Sequence, residues 1–354
     1  MGEGILFFNR MKKNDFLFDL PESLIAQHPP TERGQSRLLL INRKDRRVEH
    51  RMVRELPSIL ESGTVMVFNN SRVRRARLFG VSEDTGARAE FLLINRLDDY
   101  SWQALSNRSK RRRPGSRYRF GETCAEIMPV TNASCKEGFL RLTFDLPIDD
   151  AWLDVNGHVP LPPYIKRCDS DIDLERYQTV FASEHGSAAA PTAGLHFTNE
   201  LLAELEMAGI EIVFITLHVG IGTFLPVRSE NIEDHRMHEE SYYISNETAF
   251  RIEKARGEGR KVLAVGTTSL RSLESAWVEP GIIQRGEGST SIFIHPPYAV
   301  KSADALFTNF HTPGSTLLML VSAFAGRDFM LDCYREAIRE CYRFFSYGDA
   351  CLIL

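Results

Sequence analysis

The sequence predicts an α/β main domain with a mixed sheet, interrupted by a small antiparallel β-barrel. From Pro160 onward, β-branched apolar runs alternate with amphipathic segments, the pattern of strands and helices in turn. Further upstream the pattern shifts to short alternating runs closed by Gly, Asp-Asp and Pro-Gly, which suits a small barrel. The length of 354 residues also exceeds the roughly 250–300 at which a single core stops growing. The expected division is a discontinuous α/β domain over 1–70 and 156–354, with a β-barrel carrying a basic loop over 71–155.

The elements follow in order. FLFDLPESLIAQHP, SRLLLINR and ELPSIL are short elements that close at Gly63, and AEFLLINRL, SWQALSN, YRFGETCAEIMPV and GFLRLTFDL are the barrel strands. FTNELLAELEMAG reads as a helix with Thr198 as N-cap, Leu201, Leu202 and Leu205 on one face, and Gly209 as its stop. The run from Gly209 to His218 is a buried strand, which places His218 at a strand's carboxyl end, the usual edge for a site in open α/β sheets. SNETAFRIEKARGEG gives a helix, Val262 to Val265 a buried strand, and GTTSLRSLESAW a helix with Leu270, Leu273 and Trp277 facing inward. SIFIHPPY is expected as a strand, STLLMLVSAFAG as a helix too apolar to face water, and YREAIRECYRFF as an amphipathic helix before a strand-like tail.

Composition excludes several classes. No apolar stretch approaches the roughly 20 residues of a membrane-spanning helix. The opening MGEGILFFNRMKK lacks a signal-peptide pattern, and Met11 is an alternative start. The 6 cysteines form no Cys-x-x-Cys pair, so free thiols in a reducing cytoplasm are expected. The net charge of −4 conceals a local imbalance. Arg72, Arg74, Arg75 and Arg77 form one basic cluster, and Arg108, Lys110, Arg111, Arg112, Arg113, Arg117 and Arg119 form a denser one. A barrel loop of this kind offers phosphate contacts, with Tyr118 and Phe120 nearby for stacking, although a solvated loop explains the charge equally well.

Chemistry gathers elsewhere. His196, His218, His235 and His238 lie among Gly, Thr and Pro that core packing does not need, and Gly220 and Gly222 in VGIGTF permit close ligand approach. Gly266, Thr267, Thr268 and Ser269 open a helix after a strand, which suits a carboxylate or phosphate, with Arg271 in the first turn to pair with it. Simple capping accounts for these residues too. In EDHRMHEE, the histidine spacing does not match a metalloprotease, and acid/base or anchoring roles beside Asp234, Glu239 and Glu240 fit better than a metal. His311, in the polar loop LFTNFHTPGST, is a candidate for the same edge or a structural histidine.

The strings DLPESLIAQHPPTERGQSRLLLINR, LPPYIKR with ERYQTVFA, AAAPTAGLHFT, TLHVGIGTFLPVR with EDHRMHEESY, AVGTTSLRSLES, DALFTNFHTPGSTLLMLVSAFAG and YRFFSYGDACLI run in order over nearly the whole chain. Together they resemble the S-adenosylmethionine:tRNA ribosyltransferase-isomerase family of queuosine biosynthesis. The resemblance implies transfer of the ribosyl part of S-adenosylmethionine to 7-aminomethyl-7-deazaguanine in tRNA, giving epoxyqueuosine-tRNA, adenine and methionine. It implies an α/β domain interrupted by a barrel, a cytoplasmic enzyme with no cofactor and no metal, S-adenosylmethionine as a consumed substrate, and tRNA as partner. A monomer with no membrane association is expected.

Two stretches depart from the family pattern. Asn70 stands where the family usually has Asp, in Asn69-Asn70-Ser71-Arg72-Val73, so no base is expected there. Ser106 to Lys110 replaces the usual Pro-Ala-Lys-Arg of the basic loop. The implied reaction needs a base for a C5′ proton acidified by the sulfonium and an acid for departing adenine. His218 is the first choice of base and His196 or Asp234 the second, with His235 and His238 as further proton-transfer candidates. Gly220, Gly222, Thr267, Thr268, Arg271 and His311 are expected to bind substrate, with Thr267, Thr268 and Arg271 taking the methionine carboxylate or a phosphate. Arg72, Arg74, Lys110, Arg111, Arg112 and Arg113 are expected to bind tRNA. The rivals are a metal-dependent hydrolase using His235 and His238, and a non-catalytic RNA-binding protein.

Overall fold

The computed structural model describes residues 11–106, 112–129, 139–220, 222 and 227–354. SRLLLINR forms β1 (Arg37–Asn42), which turns back into β2 (Arg47–Met52), and a short helix α1 (Leu56–Ile59) leads to β3 (Val65–Asn69). All five residues of β3 are buried. Val65 and Val67 join the hydrophobic core on one face, and Met66 and Phe68 join the core on the other. A strand covered on both faces needs a continuous apolar run rather than alternation, and VMVF supplies it.

A three-residue strand β4 (Ser71–Val73) then leads into β5 (Arg77–Ser82), β6 (Arg88–Arg96), β7 (Ser101–Ser106), β8 (Arg117–Phe120), β9 (Thr123–Met128) and β10 (Leu140–Phe144). These six close as a barrel in the order β10-β7-β6-β5-β8-β9, every pairing antiparallel. Strand β5 hides within the arginine cluster of the sequence, where Arg77 masks the alternation of buried Leu78, Gly80 and Ser82. A Cβ on Gly80 would lie 2.6 Å from the Phe120 ring, so the glycine leaves the barrel interior to that ring. Tyr118 and Phe120 are therefore core residues, 3% and 5% exposed, and not the stacking surface expected from the sequence. Strand periodicity turns Arg117 and Arg119 outward in their place.

Helix α2 (Asp150–Asn156), capped by Asp149, packs Leu153 into the barrel core. The chain leaves the barrel pressed against the segment by which it arrived. Arg77 N–H donates to His158 O at 3.3 Å and His158 N–H donates to Arg77 O at 2.8 Å. At Gly157 a Cβ would sit 1.8 Å from Arg75 O, so this crossing admits only glycine.

Helix α3 (Asp171–Arg176) and β11 (Glu184–Ser187), which pairs in parallel with β4, precede the second half of the main sheet. There α4 (Asn199–Met207) has the expected Thr198 cap, and Gly209 follows it at φ +82°. Strand β12 (Glu211–Leu217), β13 (Glu240–Ile244), α5 (Asn246–Gly257), β14 (Val262–Val265) and α6 (Thr267–Ala276) come next. A small hairpin of β15 (Trp277–Val278) and β16 (Ile282–Ile283) takes Trp277 out of the helix in which it was expected. Strand β17 (Gly286–Thr290) precedes SIFIHPPY, which is not a strand; Pro296 and Pro297 have no N–H to give a ladder, and the segment turns through a Tyr298 N–H to His295 O bond. Strand β18 (Ala305–Asn309), α7 (Thr316–Ala325), α8 (Arg327–Arg339) and β19 (Ala350–Ile353) complete the chain.

The nine-stranded sheet runs β17-β13-β12-β3-β14-β18-β19-β1-β2. Strands β12, β3, β14 and β18 are mutually parallel, flanked by antiparallel neighbours, which is the expected mixed sheet. Among the described residues no helix is long and apolar enough to cross a membrane.

Candidate active site

The carboxyl ends of β12, β3, β14 and β18 share one edge of the sheet, and three clefts follow it. The first is lined by Tyr164, Tyr177, Thr267, Thr268 and His311. Gly266, at φ +90°, turns the chain from β14 into α6 and donates its N–H to Phe307 O at 2.7 Å. That turn presents the start of α6 to the cleft, where the first N–H groups of a helix have no partner within it. The Thr268 hydroxyl is buried without a hydrogen-bond partner among the described residues. His311 lies 3.0 Å through Nε2 from Thr308 Oγ1, and burial pushes its imidazole down to about 3, so the ring is neutral at physiological pH.

His196 sits close by in a different setting. Its Nε2 accepts from Asn309 Nδ2 at 3.0 Å, which leaves the proton on Nδ1 to donate to Ser36 Oγ at 2.9 Å. Thr192 Oγ1 donates to the other end of Asn309 at 3.0 Å. Burial, reinforced by Arg33, pushes the His196 imidazole down to about 3. With both ring nitrogens engaged, His196 holds Asn309 and Ser36 in place, a different setting from the open ring expected of a second-choice base.

The second cleft lies between the sheet edge and the barrel, with Asn95 and Gln103 on the barrel side and Gly186, His218, Gly220, His238 and Glu240 on the other. The third opens along β12 and β13, lined by Asn70, Glu184, Phe214, Thr216, Tyr243 and again His218. Of the residues named for these two clefts, His218 alone faces both. Its Nδ1 is buried without a partner among the described residues, and a Cβ on Gly186 would come within 2.8 Å of it. Burial lowers the imidazole's pKa, Arg74 adds to the shift, and Glu184 opposes it. A histidine so placed is neutral and able to accept a proton.

The backbone around His218 is fixed one N–H at a time. His218 N–H donates to Ser241 O at 3.0 Å, Val219 N–H to Ser187 Oγ at 2.8 Å, and Gly220 N–H to Glu240 Oε1 at 2.9 Å. The second Glu240 oxygen takes Nη1 of Arg271 in a buried ion pair. Arg271 is 4% exposed and lines none of the three clefts, and its Nε and Nη2 have no partner among the described residues. The side chain expected to meet an anion beside Thr267 and Thr268 thus faces a carboxylate of the protein, about 6 Å of helical rise beyond the helix start.

The remaining candidates divide. His238 joins His218 and Gly220 in the second cleft, and Gly222 makes room for it, since a Cβ there would lie 2.9 Å from the imidazole. His235 stacks edge-on against Phe293 at 5.3 Å, its pKa lowered by burial and by His238. Asp234 is exposed and accepts from Asn231 at 3.2 Å. Among the described residues no three His, Cys, Asp or Glu side chains converge as metal ligands. Arg72 lies on β4 opposite His185. Arg74 is paired with Asp150 and lies over Trp102, 5.2 Å from the ring centre, so it braces the barrel. Arg112 donates to the Tyr118 hydroxyl at 3.0 Å and Arg113 is exposed, while Lys110 and Arg111 lie outside the described residues. Asn70 accepts from Thr216 Oγ1 at 2.7 Å and donates to Ser183 Oγ at 3.1 Å, a bridge between two loops.

The family model described as "Queuosine biosynthesis protein" matches residues 13–353. The chain belongs to this family. It is 52% identical over 349 residues to the S-adenosylmethionine:tRNA ribosyltransferase-isomerase of Treponema denticola, covering 97% of this chain and 100% of the relative. It is 50% identical over 349 residues to the protein of the same name from Desulfitobacterium hafniense, with the same coverage. The crystal structure of the S-adenosylmethionine tRNA ribosyltransferase from Thermotoga maritima is similar, with a TM-score of 0.55 and 37% identity over 96% of this chain and 100% of that one. The resemblance carried by the sequence motifs is thus borne out, as is the α/β domain interrupted by a barrel.

Proposed function

We propose that this member of the queuosine biosynthesis family transfers and isomerises the ribosyl part of S-adenosylmethionine onto 7-aminomethyl-7-deazaguanine in tRNA, releasing adenine and methionine. The observation that carries the reading is His218, a neutral imidazole lining two clefts at once. A reaction that joins a small sulfonium substrate to a base held in a large RNA needs two approaches to one reacting centre. Relatives matched over their whole length bear the name of this activity.

The chemistry assigns work to particular groups. His218 takes the C5′ proton that the sulfonium acidifies, leaving a carbanion beside sulfur. Adenine departs with a proton, for which His238, which lines the second cleft beside His218, is the candidate donor. The carbanion opens the ribose at its C4′–O bond, that oxygen becomes the C1′ carbonyl as adenine leaves, and the substrate amine adds to C4′ of the resulting vinyl sulfonium with loss of a proton. The regenerated carbanion closes on the C1′ carbonyl, and the alkoxide so formed displaces methionine from C5′ to give the epoxide. Thr267 and Thr268, at the start of α6, receive the methionine carboxylate with His311 beside them, since a helix N-terminus favours an anion. Neither a metal nor a cofactor takes part in this scheme. The exposed Arg113, Arg117 and Arg119 meet the phosphates of the tRNA on the outer wall of the barrel, with Arg72 nearer the junction. We place the enzyme in the cytoplasm, where its tRNA is, and read it as a monomer. We place the barrel domain over 71–155, between the two crossing segments that enter and leave it.

The test is release of adenine from S-adenosylmethionine in the presence of tRNA carrying the aminomethyl base, against the same tRNA carrying guanine. Release with the first and none with the second is the expected result. No release with either, from a folded protein that binds both, would overturn the reading in favour of a non-catalytic RNA-binding protein.

A further inference from the structure

The turn that carries His218 has an unusual support. Of its three N–H groups, that of His218 is held by backbone, whereas Val219 and Gly220 are held by the side chains of Ser187 and Glu240. Glu240 is 5% exposed, and its two oxygens point in different directions, one to Gly220 and one to Arg271. Arg271 lies one turn along the helix whose first residues, Thr267 and Thr268, line the first cleft. A carboxylate and a guanidinium taken out of water together gain little stability over an apolar pair of the same volume, so stability alone does not explain this arrangement.

We infer that Glu240 is a positioning residue of the reaction: it clamps the Gly220 N–H and, through Arg271, fixes the His218 turn relative to α6. The inference rests on the reading of His218 as the base. The distance between the helix start and the imidazole is then set by one buried carboxylate rather than by the loop. A misplacement of about 1 Å at a reacting centre costs on the order of 10²-fold in rate. Loss of the clamp is therefore expected in kcat, with KM for S-adenosylmethionine changed much less.

Three proteins test this: the wild type, E240A, and E240M/R271M. The last removes both charges, so it leaves no unpaired buried cation and remains informative where E240A does not fold. Adenine release at saturating S-adenosylmethionine is measured with and without formate, with formamide as the uncharged control. The expected result is a kcat reduced by about 10²-fold in E240A, recovering at least about tenfold with formate and not with formamide, because formate replaces the carboxylate between Gly220 and Arg271. E240M/R271M is expected to fold, bind tRNA as the wild type does, and stay slow with or without formate. A kcat within about twofold of wild type in either folded variant, or a folded E240A indifferent to formate, would overturn the assignment. If wild type itself releases no adenine, the proposed reaction fails rather than the role of Glu240.

Discussion

His196 and His218 lie on the same edge of the sheet and differ in how their nitrogens are used. Around His196 every polar atom has a partner: Ser36 on one side, Asn309 on the other, and Thr192 behind Asn309. Around His218 the backbone is held tightly while the imidazole Nδ1 is left without a partner among the described residues, facing Gly186 and two clefts. The first arrangement fixes a wall. The second fixes a main chain and leaves a ring available to substrate. Fixing the support while leaving the reactive group open is what preorganisation requires, and it separates two histidines that look alike in sequence.

The sharpest way to break this comparison is H218A. It is expected to lower adenine release by about 10²- to 10⁴-fold, the usual worth of an acid/base group, with tRNA affinity nearly intact by filter binding. Near-normal turnover would remove His218 from the chemistry. Acid unfolding probes the other side. His196 and His311 hold at about 3 in the fold against an ordinary 6.5, so below pH 6.5 the unfolded chain binds protons that the folded chain does not. Their stability contribution is complete above pH 6.5 and is lost as pH falls toward 3, at roughly 1.4 kcal/mol per pH unit for each. Urea unfolding across that window should show a shallower slope in H311Q; an unchanged slope would contradict the assignment. H196A should cost about 1–3 kcal/mol by removing the buried acceptor of one Asn309 N–H and the partner of Ser36, read as a lower urea midpoint with kcat per folded molecule little changed. A large kcat loss in a stable H196A would return that residue to the chemistry. The smallest effect concerns the barrel: R113A/R119A should reduce the salt dependence of tRNA binding by about one unit of slope per lost phosphate contact. No change in slope would move the RNA off this wall.

Much of this was legible in the sequence. The strand ending at His218, the Thr198 cap, the Val262–Val265 strand and the helix after Gly266 follow from local rules: β-branching, capping and glycine punctuation. The partnership of Glu240 with Arg271 was not, since two charged residues 31 apart carry no local signal that they meet inside the protein. The same holds for His196, whose role depends on Asn309 reaching it from the end of β18. Barrel strands with alternating apolar residues were readable, but β5 was hidden by its arginines, and the inward turn of Tyr118 and Phe120 needed the strand's phase. Gly186 stands just before the AAAPTAG run quoted among the family motifs, yet only the approach of His218 explains why a glycine is there.

The crossing at Gly157 has a mechanical consequence. A module hung on one segment can spin about it, but here the two connecting segments are pinned together by the mutual bonds of Arg77 and His158. Such a double tether resists torsion and leaves bending as the soft mode. Gln103 and Asn95 therefore face His218 from a barrel anchored at two crossing segments rather than one.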